Sequence, residues 1–271
     1  MTISTRDQLI DAMGNNASRI VINKASLANA AAGQFFSLWA ATGVPGAGAA
    51  PTTAAVPTSA TTGAMGFTNQ TDPATSYLAW LAVQFGNSAS NLEIHDRLAH
   101  MGGLSGTVTT SQGALSLVTN SPGASRLGDA NYSDVEWWLE IYTALGATGV
   151  NATVAVEYND GTTGNLAAIA LGATPRAGRL YPLVSAGAGK FIRAVTGVTL
   201  SATTGTAGNF GITATRSSTS VSAPLLNKTE VFDWAQLGLP NIPNDSCLQM
   251  IMLCGTTSTG TVRGQGKIAH G

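Results

Sequence analysis

The sequence predicts a mainly β protein: an antiparallel β-sandwich of jelly-roll type, with a short amino-terminal helix and an irregular amino-terminal third. Three observations carry this. Between Val135 and Tyr158 apolar and polar residues alternate with a period of two, the mark of strands with one buried face. Short runs of this kind recur down the chain, spaced by Gly, Asn and Thr turns. Neither a βαβ rhythm nor a fixed-period repeat is visible.

In chain order, Thr5 and Gln8 have the spacing of a capping box, and Leu9, Ile10 and Met13 form a narrow apolar stripe behind it. This predicts a short helix docked on something larger. Arg19 to Asn23 reads as a strand. Ala28 to Ala41, with Phe35, Phe36, Leu38 and Trp39, fits neither period. Gly43 to Ala64 is rich in Gly, Pro, Ala and Thr and cannot build a core of its own, so it is expected to be an extended loop, linker or arm. Asp72-Pro73 has the form of a helix start; Tyr77 to Phe85 does not decide between a helix and a buried strand, and a helix or an irregular packed layer is the preferred reading. Leu104 to Val118 is a Thr- and Ser-rich strand region that ends at Ser121-Pro122-Gly123.

The clearest stretch follows. Val135, Trp137, Leu139 and Ile141 alternate with Glu136, Trp138, Glu140 and Tyr142; after Gly146 to Gly149 the pattern restarts at Val150 and runs to Tyr158. Asn159 to Gly164 supplies a reversal, and Leu166 to Leu171 returns. Such strands imply one packed face and one available face. Pro182 places Leu180 to Val184 at an edge or bulge, and Gly197 marks a bulge within Lys190 to Leu200. Phe210, Ile212 and Ala214 alternate with polar or small neighbours, and Thr229 to Leu237 holds a short helix with Phe232 and Trp234. Cys247 to Cys254 is apolar on both faces, as in the middle of a sandwich, and Thr261 to Ile268 is a terminal strand or a tail. This divides the chain into residues 1–70, holding helix, strand and arm, and a sandwich domain over 71–271.

Only 10% of the 271 residues are charged, where about 25% is usual, and the net charge is −1. A surface of Thr, Ser, Ala, Asn and Gly suits a protein covered by other subunits rather than one standing alone in water. No basic stripe favours nucleic acid, and no apolar window approaches the roughly 18 residues of a membrane span. The first residues lack the apolar core of a secretory signal, so synthesis in the cytoplasm is expected. Cys247 and Cys254 point to opposite faces of their strand and are expected to be buried, reduced thiols.

The segment from Glu93 to His100, with His95 and Asp96, is the one titratable cluster that invites a catalytic reading. Its histidines are five apart, which on a helix is about 140° of rotation and spoils the geometry of a shared metal ion. A hydrogen-bonded buttress beside the Gly102-Gly103 turn is the preferred reading. No nucleophile elbow, phosphate loop or calcium loop is present, so neither a catalytic residue, a cofactor nor a metal is assigned and the chain is not read as an enzyme. His270 is expected to be mobile. Trp138 is expected to face outward, as a subunit anchor in preference to a sugar platform. The interface candidates are Phe35, Phe36, Trp39, Val44, Pro45, Trp138 and Tyr142.

The pattern Gly33 … Phe36-Ser37-Leu38-Trp39 … Gly43-Val44-Pro45-Gly46-Ala47-Gly48 … Pro51, and the run His95-Asp96-Arg97-Leu98-Ala99-His100-Met101-Gly102-Gly103-Leu104-Ser105, resemble segments of virion proteins of tailed bacteriophages. The resemblance implies a structural component of the particle and transfers no catalytic residue. Joined to the composition, it leads to the expectation of a capsid decoration or cement protein. Such a protein is a homo-oligomer such as a trimer, is located in the virion, and binds the major capsid protein or other virion proteins but neither nucleic acid nor membrane. A tail structural component and a carbohydrate-binding host-recognition module are the alternatives.

Overall fold

The computed structural model describes residues 3–27, 30–87, 90–185, 187–223 and 225–271. Helix α1 (Arg6–Asn15) is followed by strands β1 (Ala17–Lys24), β2 (Gln34–Ser37), β3 (Gly43–Val44), β4 (Ser76–Phe85), β5 (Ser90–Leu104) and β6 (Leu115–Ser116). After α2 (Ala124–Leu127) come β7 (Glu136–Thr143), β8 (Val150–Tyr158), β9 (Thr163–Asn165), β10 (Ile169–Gly172), β11 (Arg179–Leu183), β12 (Ile192–Leu200), β13 (Asn209–Ala223) and β14 (Thr229–Asp233). Helix α3 (Trp234–Leu237), β15 (Leu248–Cys254) and β16 (Val262–His270) complete the chain. The protein is mainly β, its paired strands antiparallel, with a short amino-terminal helix, as the sequence predicts.

The chain forms two compact units. The first comprises Met1–Gly48, Thr58–Asp96 and Ser217–Gly271; the second comprises Ala49–Pro57 and Arg97–Arg216. The first seventy residues are therefore shared between the two, and β5 and β13 each contribute a half to either unit.

In the first unit a five-stranded sheet has the order β14-β4-β16-β1-β3, and β15 pairs with β2 on one side and the amino-terminal half of β5 on the other. Ile20, Ile22, Leu78, Leu81 and Val83 from the former pack with Phe36, Leu92, Ile94, Leu248, Met250 and Met252 from the latter, which makes this unit a sandwich. β15 sits between two strands and is buried on both faces, as its uninterrupted apolar run requires, and the thiols of Cys247 and Cys254 are buried without a disulfide between them.

In the second unit β10-β8-β12-β6 form one sheet, with β9 also on β8. β7 pairs with β13 and β11 in another. The core lies between them: Val150, Ala152, Val154, Val156, Val195, Val198 and Leu200 against Trp137, Leu139, Ile141, Phe210, Ile212 and Ala214. The register of β12 on β8 shifts between Val195 and Gly197, so the glycine marks a bulge as expected.

Several expectations are corrected. Tyr77 to Phe85 is neither helix nor irregular layer but strand β4, hydrogen-bonded on both sides by β14 and β16. Its apolar residues are accommodated because almost the whole strand is buried, which removes the period-two signal. Pro182 pairs opposite Trp138 within β11. Gly43 to Ala64 is not an arm free of its own chain. In the first unit the ring of Trp39 leaves no room for a Cβ at Gly48 or Gly63, and Lys24 donates from Nζ to the carbonyls of Ala41 (2.9 Å) and Gly46 (3.3 Å). In the second, Ala55 exchanges two 2.9 Å backbone hydrogen bonds with His100. Ala28 and Asn29, at the head of the segment that fits neither period, lie outside the described residues. The helix α1 has the predicted capping box, but it buries Leu9 and Ala12 and leaves Ile10 56% exposed.

Candidate functional site

Strand β7 is buried on both faces, for different reasons. Its odd residues Trp137, Leu139 and Ile141 enter the second core, while the even residues meet polar groups from β5 and β13. Arg97 of β5 forms an ion pair with Glu140, a contact that involves both guanidinium amino groups and both carboxylate oxygens. The hydroxyl of Thr213 donates to Glu140 Oε2 at 2.5 Å. Arg97 also donates to the Tyr142 hydroxyl at 2.7 Å, and that hydroxyl lies 3.3 Å from Nδ1 of His100 and 3.4 Å from Thr213 Oγ1. Arg97, Glu140, Thr213 and His100 are all buried.

Burial first, and the Arg97 charge second, push the His100 imidazole down to about 2, so it is neutral at every physiological pH. Burial raises the Tyr142 phenol, which remains protonated. Arg126, also buried, donates to the carbonyls of Pro57 (3.0 Å) and Arg97 (2.9 Å). The network therefore joins the Arg97–Glu140 ion pair and the Arg126 guanidinium to neutral groups hydrogen-bonded among them. Its hydrogen bonds link β5 to β7 and β13, and they bring Glu140, Tyr142 and Thr213 to His100, which sequence alone did not associate with it.

On the first-unit half of β5 His95 Nε2 lies 2.9 Å from Glu93 Oε2, and Asp96 accepts a 2.7 Å hydrogen bond from the backbone N–H of Cys247. Successive strand residues point to opposite faces, so His95 and His100 do not share a site as helix neighbours would. Among the described residues no group of three or more His, Cys, Asp or Glu side chains gathers in a metal-binding arrangement.

The interface candidates divide. Trp138 does not face outward: it is 4% exposed, and its Nε1 donates to Thr215 Oγ1 at 2.9 Å. The correction has a simple cause, since its face of β7 is covered by β5 and β13 side chains. Phe36 and Trp39 are buried in the first unit and Phe35 is partly buried. Tyr142 is partly buried with its hydroxyl inside the network. Val44 is 45% exposed and Pro45 half-buried. The apolar side chains that do reach solvent include Val21, Val118, Val184, Leu225, Leu226 and Val231, none of which sequence singled out, since most have apolar neighbours along the chain and only the fold shows which of them is left outside. A hollow of about 280 Å³ lies beside Trp137 and Trp138 and is lined also by Val135, Leu183, Val184 and Phe191.

His270 is the other side chain whose placement sequence missed. It is 3% exposed and held at both ring nitrogens, by Ser18 and Ser76. Of the two readings of Thr261 to Ile268, strand or tail, the strand holds, and it lies in the middle of its sheet.

No protein-family model matches the chain, and no curated protein matches it significantly. Among solved structures, it is similar to the VP2 subviral particle of infectious bursal disease virus at 10% identity, over 94% of this chain and 80% of that one, with a TM-score of 0.17. The Gx strain of the same virus gives 10% identity, 93% and 79% coverage and a TM-score of 0.20. Both are virus particles, but TM-scores this low leave the likeness without structural content.

Proposed function

We propose that this chain is a structural component of a virus particle, a capsid decoration or cement protein of a tailed bacteriophage that acts as a homo-oligomer. The supporting observation is the poverty of the surface in charge. The chain has 13 Lys and Arg and 14 Asp and Glu. Of these Lys24, Asp96, Arg97, Arg126 and Glu140 are buried, which leaves 22 of the 27 to reach solvent wholly or in part, still far fewer than an ordinary surface carries. A soluble monomer is normally kept apart from its copies by surface charge; a subunit that is covered in its working state has no such need. Exposed valines and leucines on both units offer apolar contact, at about 25 cal/mol per Å² buried, and small contacts repeated over a shell add up.

The function is mechanical: neutral surfaces spread over neighbouring subunits and raise the energy needed to separate them. The ionisable clusters of β5 fit this reading, since each is engaged in holding strands together. The carbohydrate-binding alternative loses its platform with the burial of Trp138. The test is to mix the purified protein with empty expanded phage heads and record co-sedimentation and the shell's melting temperature. Binding with a higher melting temperature is expected; a protein that ignores the shells overturns the decoration role.

A further inference from the structure

β16 runs between β4 and β1, and its last residue, His270, brings three side chains of the first unit into line. Ser76 is the direct cross-strand partner of His270, and Ser18 lies on the opposite neighbour, two residues diagonal from it. Ser18 Oγ is 2.7 Å from His270 Nε2, and Ser76 Oγ is 2.9 Å from Nδ1. The proton positions follow from one further contact. The backbone N–H of Ser18 also points at Nε2, at 3.2 Å, and an N–H can only donate. Nε2 is therefore an acceptor, the ring proton is on Nδ1 and is donated to Ser76, and the Ser18 hydroxyl donates to Nε2. Burial lowers the imidazole's proton affinity and keeps this neutral form.

A hydroxyl donating to an imidazole whose other nitrogen is fixed by a third group is the arrangement of an activated nucleophile. Ring and backbone are both restrained: His270 exchanges hydrogen bonds with Asn16, from its N–H to the Asn16 carbonyl and from Asn16 Nδ2 to its own carbonyl, each at 2.9 Å. The site is reachable. Ser18 is half-buried, and with His270 it lines a hollow of about 490 Å³ walled by Asn15, Asn69, Gln70 and Thr71 without a charged side chain.

We infer that Ser18 is a reactive nucleophile with His270 as its base and Ser76 as a positioning residue, suited to accepting the acyl group of a small uncharged ester. In that step Oγ bonds to the acyl carbon as its proton passes to Nε2, and the leaving alcohol takes the proton as the ester C–O bond breaks. Water attacks the acyl-serine in the second step, its proton passing by the same route back to Ser18, and the acid is released.

The experiment uses the intact wild-type protein and a fluorophosphonate probe, which bonds to an activated serine with loss of fluoride and remains attached. Peptide mapping by mass spectrometry compares Ser18 with the exposed Ser217 and Ser220 of the same molecule. Labelling of Ser18 at least tenfold faster than these references is expected, with the advantage lost in His270→Gln, reduced in Ser76→Ala and retained in Ser76→Thr. Labelling of Ser18 no faster than the references in the wild-type protein overturns the inference, and that result requires no variant to fold.

Discussion

Glu140 and Arg97 illustrate how a charge-poor protein uses the charges it does bury. Desolvating two ions is costly, and the pair is tolerated because Thr213 and Tyr142 complete their hydrogen bonding. Removing one partner strands the other: Glu140→Ala should lower stability by about 3–5 kcal/mol, while the paired exchange Arg97→Met with Glu140→Leu should cost clearly less, as read by chemical denaturation of each variant. His100 adds a pH dependence. Its folded value is about 2 against 6.5 in the free side chain, so below pH 6.5 the unfolded chain takes up a proton that the native chain refuses. Stability is complete above that value and is lost as pH falls from 6.5 toward 2, by up to about 1.4 kcal/mol per pH unit. Burial shifts His270 in the same direction. Denaturation midpoints measured from pH 7 to 4 should fall, and the fall should be shallower in His100→Gln; an unchanged slope would contradict the assignment of His100 as a neutral buried group.

At the scale of elements, close backbone approach decides which glycines matter. A Cβ on Gly211 of β13 would lie 1.8 Å from the carbonyl oxygen of Met101 in β5, so Gly211→Ala must push two adjacent strands apart. Gly14 in α1 has nothing within 4 Å of the same added atom. Alanine there should stabilise by about 0.5–1 kcal/mol through helix propensity, while at Gly211 it should be severely destabilising. Thermal melts of the two variants therefore move in opposite directions. The elements that sequence resolved least well are those without alternation. β4 and β5 are buried along most of their length, so period two disappears and only β-branched or aromatic content remains to separate strand from helix. β1, β8 and β13 each keep one apolar face over the stretch that was read, and they were legible.

For the whole molecule, the prediction concerns association. A surface with few ionic side chains and with Val21, Val184, Leu225, Leu226 and Val231 exposed should self-associate in solution, and light scattering after size exclusion should give a mass above the 27.4 kDa chain. Val184→Lys and Val231→Lys, each introducing charge at an exposed apolar position, should weaken that association while leaving the melting temperature within a few degrees. A monodisperse 27.4 kDa monomer at high concentration would remove the argument from surface composition.

The sequence by itself determined the mainly β, antiparallel character, the capped first helix, the fully buried β15 and the bulge at Gly197. Each of these follows from neighbours along the chain, whose chemistry is local. Only the tertiary structure decided that Trp138 turns inward, that Gly43 to Ala64 folds back on its own chain and that His270 stands between Ser18 and Ser76. Those outcomes depend on which strands come to lie side by side. A period of two says that a strand has two faces and leaves open what each face meets, which is settled by partners far away in the chain.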